Sequence, residues 1–264
     1  MSDRDRERRS LSKGEWAAVA LAVVVVAAAA WVWLRRPGGP VPAPASAAPT
    51  AATSEAAAPA EEGPVAPVPD AKARPQLESL SSDPNYRRWL AMTEDVIARW
   101  AVVTDNLAEG VSPRKALEVV GPKTPFRVLE RGGKTVISPD AYARYDEFAT
   151  AVGSVDPQAF ATVYRAFRPA IQAAYRALGY PKGSLDAVTA RALHRLEGAP
   201  VVDGEVELTP DRGFYRFADP KLEGLREVEK HLLRMGPRNT RTIQAKAKEI
   251  GQALNFPAEA ASAQ

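Results

Sequence analysis

The chain has 264 residues, 45% of them hydrophobic and 25% charged, with a formal net charge of +3. It has no cysteine and two histidines, His194 and His231, which excludes disulfides, thiolate zinc sites, iron–sulfur clusters, a cysteine nucleophile and a three-histidine metal centre. Residues 1–75 hold 9 Lys/Arg against 8 Asp/Glu and residues 76–264 hold 26 against 24, so the basic surplus is thin and no nucleic-acid partner is expected.

The first element in chain order is an uncharged run. Residues 17–34, AAVALAVVVVAAAAWVWL, make 19 apolar residues with Trp16. That is about 28 Å of helix, enough for one pass through a hydrocarbon core about 30 Å thick. Trp16 stands at one end and Trp31 and Trp33 at the other, where indoles favour the headgroup interface. Arg4, Arg6, Arg8, Arg9 and Lys13 precede the run, and only Arg35 and Arg36 follow it at once. This bias predicts a cytoplasmic tail at 1–15, a transmembrane helix at 16–34 and translocation of the rest, in a single-pass inner-membrane protein with a periplasmic domain. The competing reading is a cleaved signal peptide ending at Ala28-Ala29-Ala30, but the run is longer than an ordinary h-region and continues past that site.

Residues 35–75 read as a disordered linker. Ten prolines lie within 37–75 among Ala, Gly, Ser, Thr and Glu, with no apolar periodicity to offset the entropy of ordering. Such a stretch favours polyproline II and reaches about 120 Å when extended. A spacer that holds a domain off the bilayer and a tolerated low-complexity tail predict the same sequence.

Residues 76–256 carry the helical period and predict one mainly α domain with one or two small β-hairpins; 257–264 reads as a disordered tail. A short helix is expected through Asp83-Pro84. The next, over 93–109, has Val96, Trp100, Val103 and Leu107 inward and Thr93 as cap. A hairpin is expected from 126–129 to 135–137 around Gly132-Gly133. Ser138-Pro139 starts a helix ending near Gly153, and Asp156-Pro157 starts the longest one, with an aromatic stripe from Phe160 to Leu178 and Pro169 inside it. Ser184 opens another helix. Val201-Val202, Asp203-Gly204, Val206 and Leu208 suggest a second hairpin, and 214–217 a further strand. Two helices close the domain, 220–235 and 238–254.

The stretches VVTDNLAEG at 102–110, TPFRV at 124–128, AYARYDEF at 141–148, YRAFRPAIQAAYRALGYP at 164–181, FYRFADPKLEGL at 214–225 and KHLLRMGPRN at 230–239 resemble, in order, a bacterial domain-of-unknown-function family, number 3014. The resemblance implies a membrane-anchored protein with a mainly helical extramembrane domain. It brings no activity, cofactor or catalytic residue with it.

Local motifs for chemistry fail on their neighbours. Gly132-Gly133-Lys134-Thr135 mimics the end of a phosphate loop, but residue 128 is valine where the first glycine belongs. Ser112-Pro113-Arg114-Lys115 fits the S-x-x-K acylase pattern without its companion motifs. His194 and His231 both fall off the apolar stripes of their helices and read as solvated. The stripe 160–178 reads as core, with a ligand groove as the alternative. No catalytic residue, metal ligand or cofactor is assigned.

Two groups stand out. Asp105 and Asn106 with Arg144, Tyr145 and Asp146 form a polar set that reads as a structural lock, or else as a binding site. Lys230, Arg234, Arg238, Arg241, Lys246 and Lys248 are six bases with no acid between 230 and 248. They are either a solvated face paired with Glu223, Glu227, Glu229 and Glu249 or a surface for an anionic envelope component: lipid headgroup, acidic glycan or another envelope protein. The expected function is a binding or scaffolding module; the alternative is an enzyme acting on an envelope polymer or lipid.

Overall fold

Asp or Ser before a proline or a short aliphatic turn opens most of the helices. The chain divides into two units, Met1–Pro59 and Ala60–Gln264. The computed structural model describes residues 67–256, all within the second. The expected cytoplasmic tail, the expected transmembrane helix at 16–34, most of the expected linker and the tail at 257–264 lie outside the described residues. Among the described residues no helix is long and apolar enough to cross a membrane.

The order is α1 (Asp70–Glu78), α2 (Pro84–Met92), α3 (Val96–Ala108), two 3-10 turns (Pro113–Lys115 and Glu118–Val120), β1 (Val128–Arg131), β2 (Lys134–Ile137), α4 (Pro139–Ala143), α5 (Asp146–Gly153), α6 (Pro157–Ala177) and α7 (Leu185–Gly198). Then come β3 (Glu207–Asp211), β4 (Phe214–Phe217), α8 (Pro220–Glu223), α9 (Glu227–Met235) and α10 (Pro237–Leu254). Side chains of Asp83, Ser138, Asp156, Ser184 and Asp219 each accept a backbone N–H of the first turn they precede. Each cap contributes about 1 kcal/mol.

Helix α3 lies against α6 and α7, and α10 crosses α5, α6 and α7. Their shared core holds Tyr164, Ile171, Leu185 and Val188, all fully buried. Most of the aromatic stripe of α6 is therefore core: Tyr164, Phe167, Ile171 and Tyr175 are buried. Pro169 lies inside this 21-residue helix without ending it. The strands form one antiparallel sheet in the order β1-β2-β3-β4. It packs Ile137, Leu208 and Phe217 against Leu233 of α9.

Five expectations are corrected. The ordered fold reaches back through residue 70, inside the expected linker, because Ala73 and Leu77 of α1 are buried against the core. Thr93 does not cap α3; its hydroxyl bonds Trp89 O, and Asp70 Oδ1 accepts the Val96 N–H from another helix at 3.0 Å. The helix expected over 138–153 breaks at Arg144 and Tyr145 into α4 and α5. The second hairpin turns at Arg212-Gly213 rather than Asp203-Gly204, since Leu208 pairs with Phe217 and both are buried. The helix expected over 220–235 is two, α8 and α9, separated at Gly224–Arg226.

Candidate functional site

The turn leaving α3 is tied to the start of α9 by three bonds. Val228 N donates to Gly110 O at 3.2 Å, Ser112 N donates to Glu227 Oε2 at 3.4 Å, and Ser112 Oγ lies 2.9 Å from His231 Nδ1. Arg195 of α7 reinforces the junction by donating to Ala108 O and pairing with Glu229 at 3.2 Å. The segment 111–122 is thereby laid across the ends of α3 and α9.

Beneath it lies a cavity of about 330 Å³. Its walls come from α3 (Val103, Leu107), the 3-10 segment (Leu117, Val120), α5 (Phe148, Val152), α7 (Leu196), α9 (Val228, Leu232, Met235) and α10 (Ile243). Only Arg114, Tyr145 and His231 bring polar side-chain groups to the lining. A second cavity, about 350 Å³, shares Val103, Leu107, Leu117 and Leu196 with the first and is likewise walled by hydrocarbon. Pockets of a few hundred Å³ with apolar walls and few convergent polar groups are the usual form of a small-ligand site.

His231 is the main correction to the sequence reading. It is not solvated: its ring sits edge-on to Tyr145, with centroids 5.7 Å apart, and bonds Ser112. Burial pushes its pKa down to about 4, and the positive charges of Arg114, Arg234 and Arg144 push the same way. The imidazole is neutral at pH 7. Arg144 stacks over Tyr145 at 5.0 Å and Phe126 at 5.3 Å, and donates to the carbonyls of Ala141 and Thr124. Arg234 stacks 4.6 Å from the Phe217 centroid and donates to Tyr215 O. Burial lowers its pKa from the ordinary guanidinium value.

The polar set expected from sequence divides into two neighbourhoods. Asp105 senses Glu109, Tyr180 and Arg191, and its carboxyl pKa is raised, by burial first and then by Glu109. Its Oδ1 is buried without a hydrogen-bond partner. Asn106 supplies only its carbonyl, to Val111 N. Tyr145 lines the cavity with Arg144 stacked on its ring, whereas Asp146 accepts from Asn239 Nδ2 at 2.9 Å.

The six-base group does not form one uncompensated surface. Lys230 pairs with Glu223 at 3.2 Å, Arg238 with Asp146 at 3.6 Å, Arg241 with Asp203 at 2.5 Å and Lys246 with Glu249 at 2.6 Å. Arg234 stacks on Phe217 of the sheet, and Lys248 alone is exposed without a partner among the described residues. Acids distant in sequence fold back onto bases that looked clear of them. His194 is exposed, as its position off the stripe suggests. Gly132 and Gly133 turn the β1–β2 hairpin and hold no phosphate-loop geometry. Ser112 bonds His231, 119 positions away, and Lys115 is exposed.

Fold and site together define a mainly helical domain with a small four-stranded antiparallel sheet and an apolar pocket bordered by Ser112, His231 and Arg114. The family described as "Protein of unknown function (DUF3014)" matches residues 96–251, and the chain belongs to it. The matched span contains every wall of the first cavity. No curated protein and no solved structure matches the chain.

Proposed function

We propose that this chain is a single-pass inner-membrane protein whose translocated helical domain is a binding module for a ligand with a hydrocarbon part. The observation that carries the binding reading is the cavity beside His231, where six separate parts of the fold present hydrocarbon to one space. A partly open pocket of this size with hydrocarbon walls and a few polar groups at one side is a candidate seat for a ligand.

The membrane half of the proposal draws on the apolar run 16–34 and its five-to-two Lys/Arg bias. A reporter enzyme fused after Gln264 is expected to be active only outside the cytoplasm. Cytoplasmic activity of that fusion would overturn the topology.

The binding half is tested on the full chain in phosphatidylcholine nanodiscs, with a neutral diazirine-bearing alkanol as photolabel. Peptides containing Leu117, Phe148 or Met235 are expected to carry the label. The substitution Leu196→Trp, which fills shared wall space, is expected to remove most of it while circular dichroism stays unchanged. Equal labelling of a folded Leu196→Trp chain would show that the cavity is not the seat.

The enzymatic alternative draws on the 2.9 Å contact between Ser112 Oγ and His231 Nδ1. A serine nucleophile needs a base able to hold a proton near neutrality and a third group to orient it. His231 titrates near 4, and among the described residues no carboxylate bonds its other nitrogen. The pair suits recognition better than proton abstraction.

A further inference from the structure

We propose that the cavity takes a single-chain amphiphile whose headgroup is a carboxylate or phosphate anion, with the head among Arg114, Ser112 and His231 and the hydrocarbon tail in the cavity. This rests on the reading of the cavity as a ligand seat.

The charge argument comes first. Arg114, Arg144 and Arg234 all act electrostatically on the His231 ring. Among the described residues no carboxylate lies within ion-pair distance of any of the three. Arg144 and Arg234 spend donors on carbonyl oxygens and stack on rings. Those contacts fix the side chains but leave their charge in place. Arg114 lines the cavity itself, is exposed, and makes no hydrogen bond to another described residue. An exposed guanidinium at the rim of an apolar pocket is free to pair with an anionic headgroup, and a charge-assisted hydrogen bond there would fix the head while the tail enters the pocket.

The neighbouring acids are committed elsewhere. Glu223 pairs with Lys230 and Arg216, accepts Phe217 N, and also acts electrostatically on Arg234, which leaves Arg114 as the guanidinium at the pocket with no acid beside it among the described residues. Glu229 pairs with Arg195 and accepts Arg226 N. Among the described residues Glu227, which accepts Ser112 N at 3.4 Å, is the one acid bonded to the cluster, and it bonds the backbone. A neutral ring beside three guanidiniums adds no further charge to repel a headgroup, and Ser112 supplies a hydroxyl at the same point.

The tail argument is one of space. At about 30 Å³ for each water-sized group, the first cavity holds on the order of ten methylenes. The second cavity lies against the first across Val103, Leu107, Leu117 and Leu196. A cation would be repelled at the mouth, and a neutral alcohol would leave the guanidiniums uncompensated. A folded protein partner would reach Arg114 but leave the cavity empty.

The test uses the full chain in phosphatidylcholine nanodiscs and four diazirine-bearing probes with the same twelve-carbon chain: dodecanoate, dodecyl phosphate, dodecanol and dodecylamine. Dodecanoate and dodecyl phosphate are expected to label peptides containing Leu117, Phe148 or Met235 at concentrations about tenfold below dodecanol. Dodecylamine is expected to label them least. The substitution Arg114→Gln should raise the concentration needed for both anions about tenfold and leave dodecanol unchanged; added salt should act in the same direction. The ratio of the two anions then distinguishes a fatty carboxylate from an alkyl phosphate. If dodecanol labels as well as both anions and Arg114→Gln changes nothing, the anionic headgroup is overturned while the apolar seat stands. If no probe labels these peptides, the seat itself falls and this proposal with it.

Discussion

Replacing Gly236 with alanine is expected to destabilise the folded domain by about 3 kcal/mol or more, read as a lower urea midpoint with an unchanged slope. Gly236 joins α9 to α10 at φ 84 and ψ 165, a backbone region that belongs almost entirely to glycine. A Cβ there would lie 2.6 Å from Tyr142 Cγ and 2.9 Å from Tyr142 Cβ. The backbone that carries the ring is held at this corner, which limits how far Tyr142 can shift away. Asn239 Nδ2 donates to Tyr142 O, Met235 O and Asp146 Oδ1, and the Thr240 hydroxyl bonds Leu232 O and Gly236 O. Backbone strain and steric overlap therefore add rather than offset each other. A loss under about 0.5 kcal/mol would mean that the corner relaxes, and that α9 and α10 are joined less rigidly than these bonds imply.

The same corner explains what was and was not legible in the sequence. Helices announced themselves where the chemistry is local: Ser138-Pro139, Asp156-Pro157 and Ser184 are caps by their own side chains. The Gly132-Gly133 hairpin was legible for the same reason. The second hairpin was not, because Asp203-Gly204 is a stronger local turn signal than Arg212-Gly213. The buried pairing of Leu208 with Phe217 decides otherwise.

Helix α1 was hidden by composition. Its Pro75 and polar neighbours resemble the linker, and only burial of Ala73 and Leu77 reveals the helix. The candidate site was hidden by distance along the chain. Val228, His231, Leu232 and Met235 stand at i, i+3, i+4 and i+7 and all line the cavity. Val228 and Leu232 are buried as the apolar period requires, and His231 stands at the edge of that stripe, where Ser112 of the 111–122 segment bonds it. No spacing could have joined Ser112 to His231, or gathered Arg114, Arg144 and Arg234, since packing of the 111–122 segment over α9 brings them together.

His231 also makes the stability of the domain depend on pH, and the sign follows from its neutral burial. In the unfolded chain it titrates at its ordinary value of 6.5; in the fold it is held down to about 4. Above 6.5 both states are neutral and the full stability is present. Between 6.5 and 4 the unfolded state binds the proton and the folded state does not, so stability falls with pH through that window. The expected loss from this group is on the order of 2 to 3 kcal/mol by pH 4. Burial is the main cause, and Arg114 on the 3-10 turn, Arg234 on its own helix and Arg144 beside Tyr145 add to it; the Glu227 carboxylate bonds Ser112 N.

Glu223, whose pKa is lowered by its bonds to Phe217 N and Lys230, also loses stability at low pH. The measurement is therefore the difference between native and His231→Gln chains, each followed by urea unfolding from pH 8.5 to pH 4. The native chain should lose stability more steeply between 6.5 and 4, with the two profiles parallel above pH 7. Parallel profiles throughout would mean that the ring is charged or solvated in the fold, and the neutral histidine at the cavity mouth would have to be abandoned. Dodecanoate bound beside His231 should shrink the difference, because a nearby anion stabilises the protonated ring and draws its folded pKa back toward 6.5.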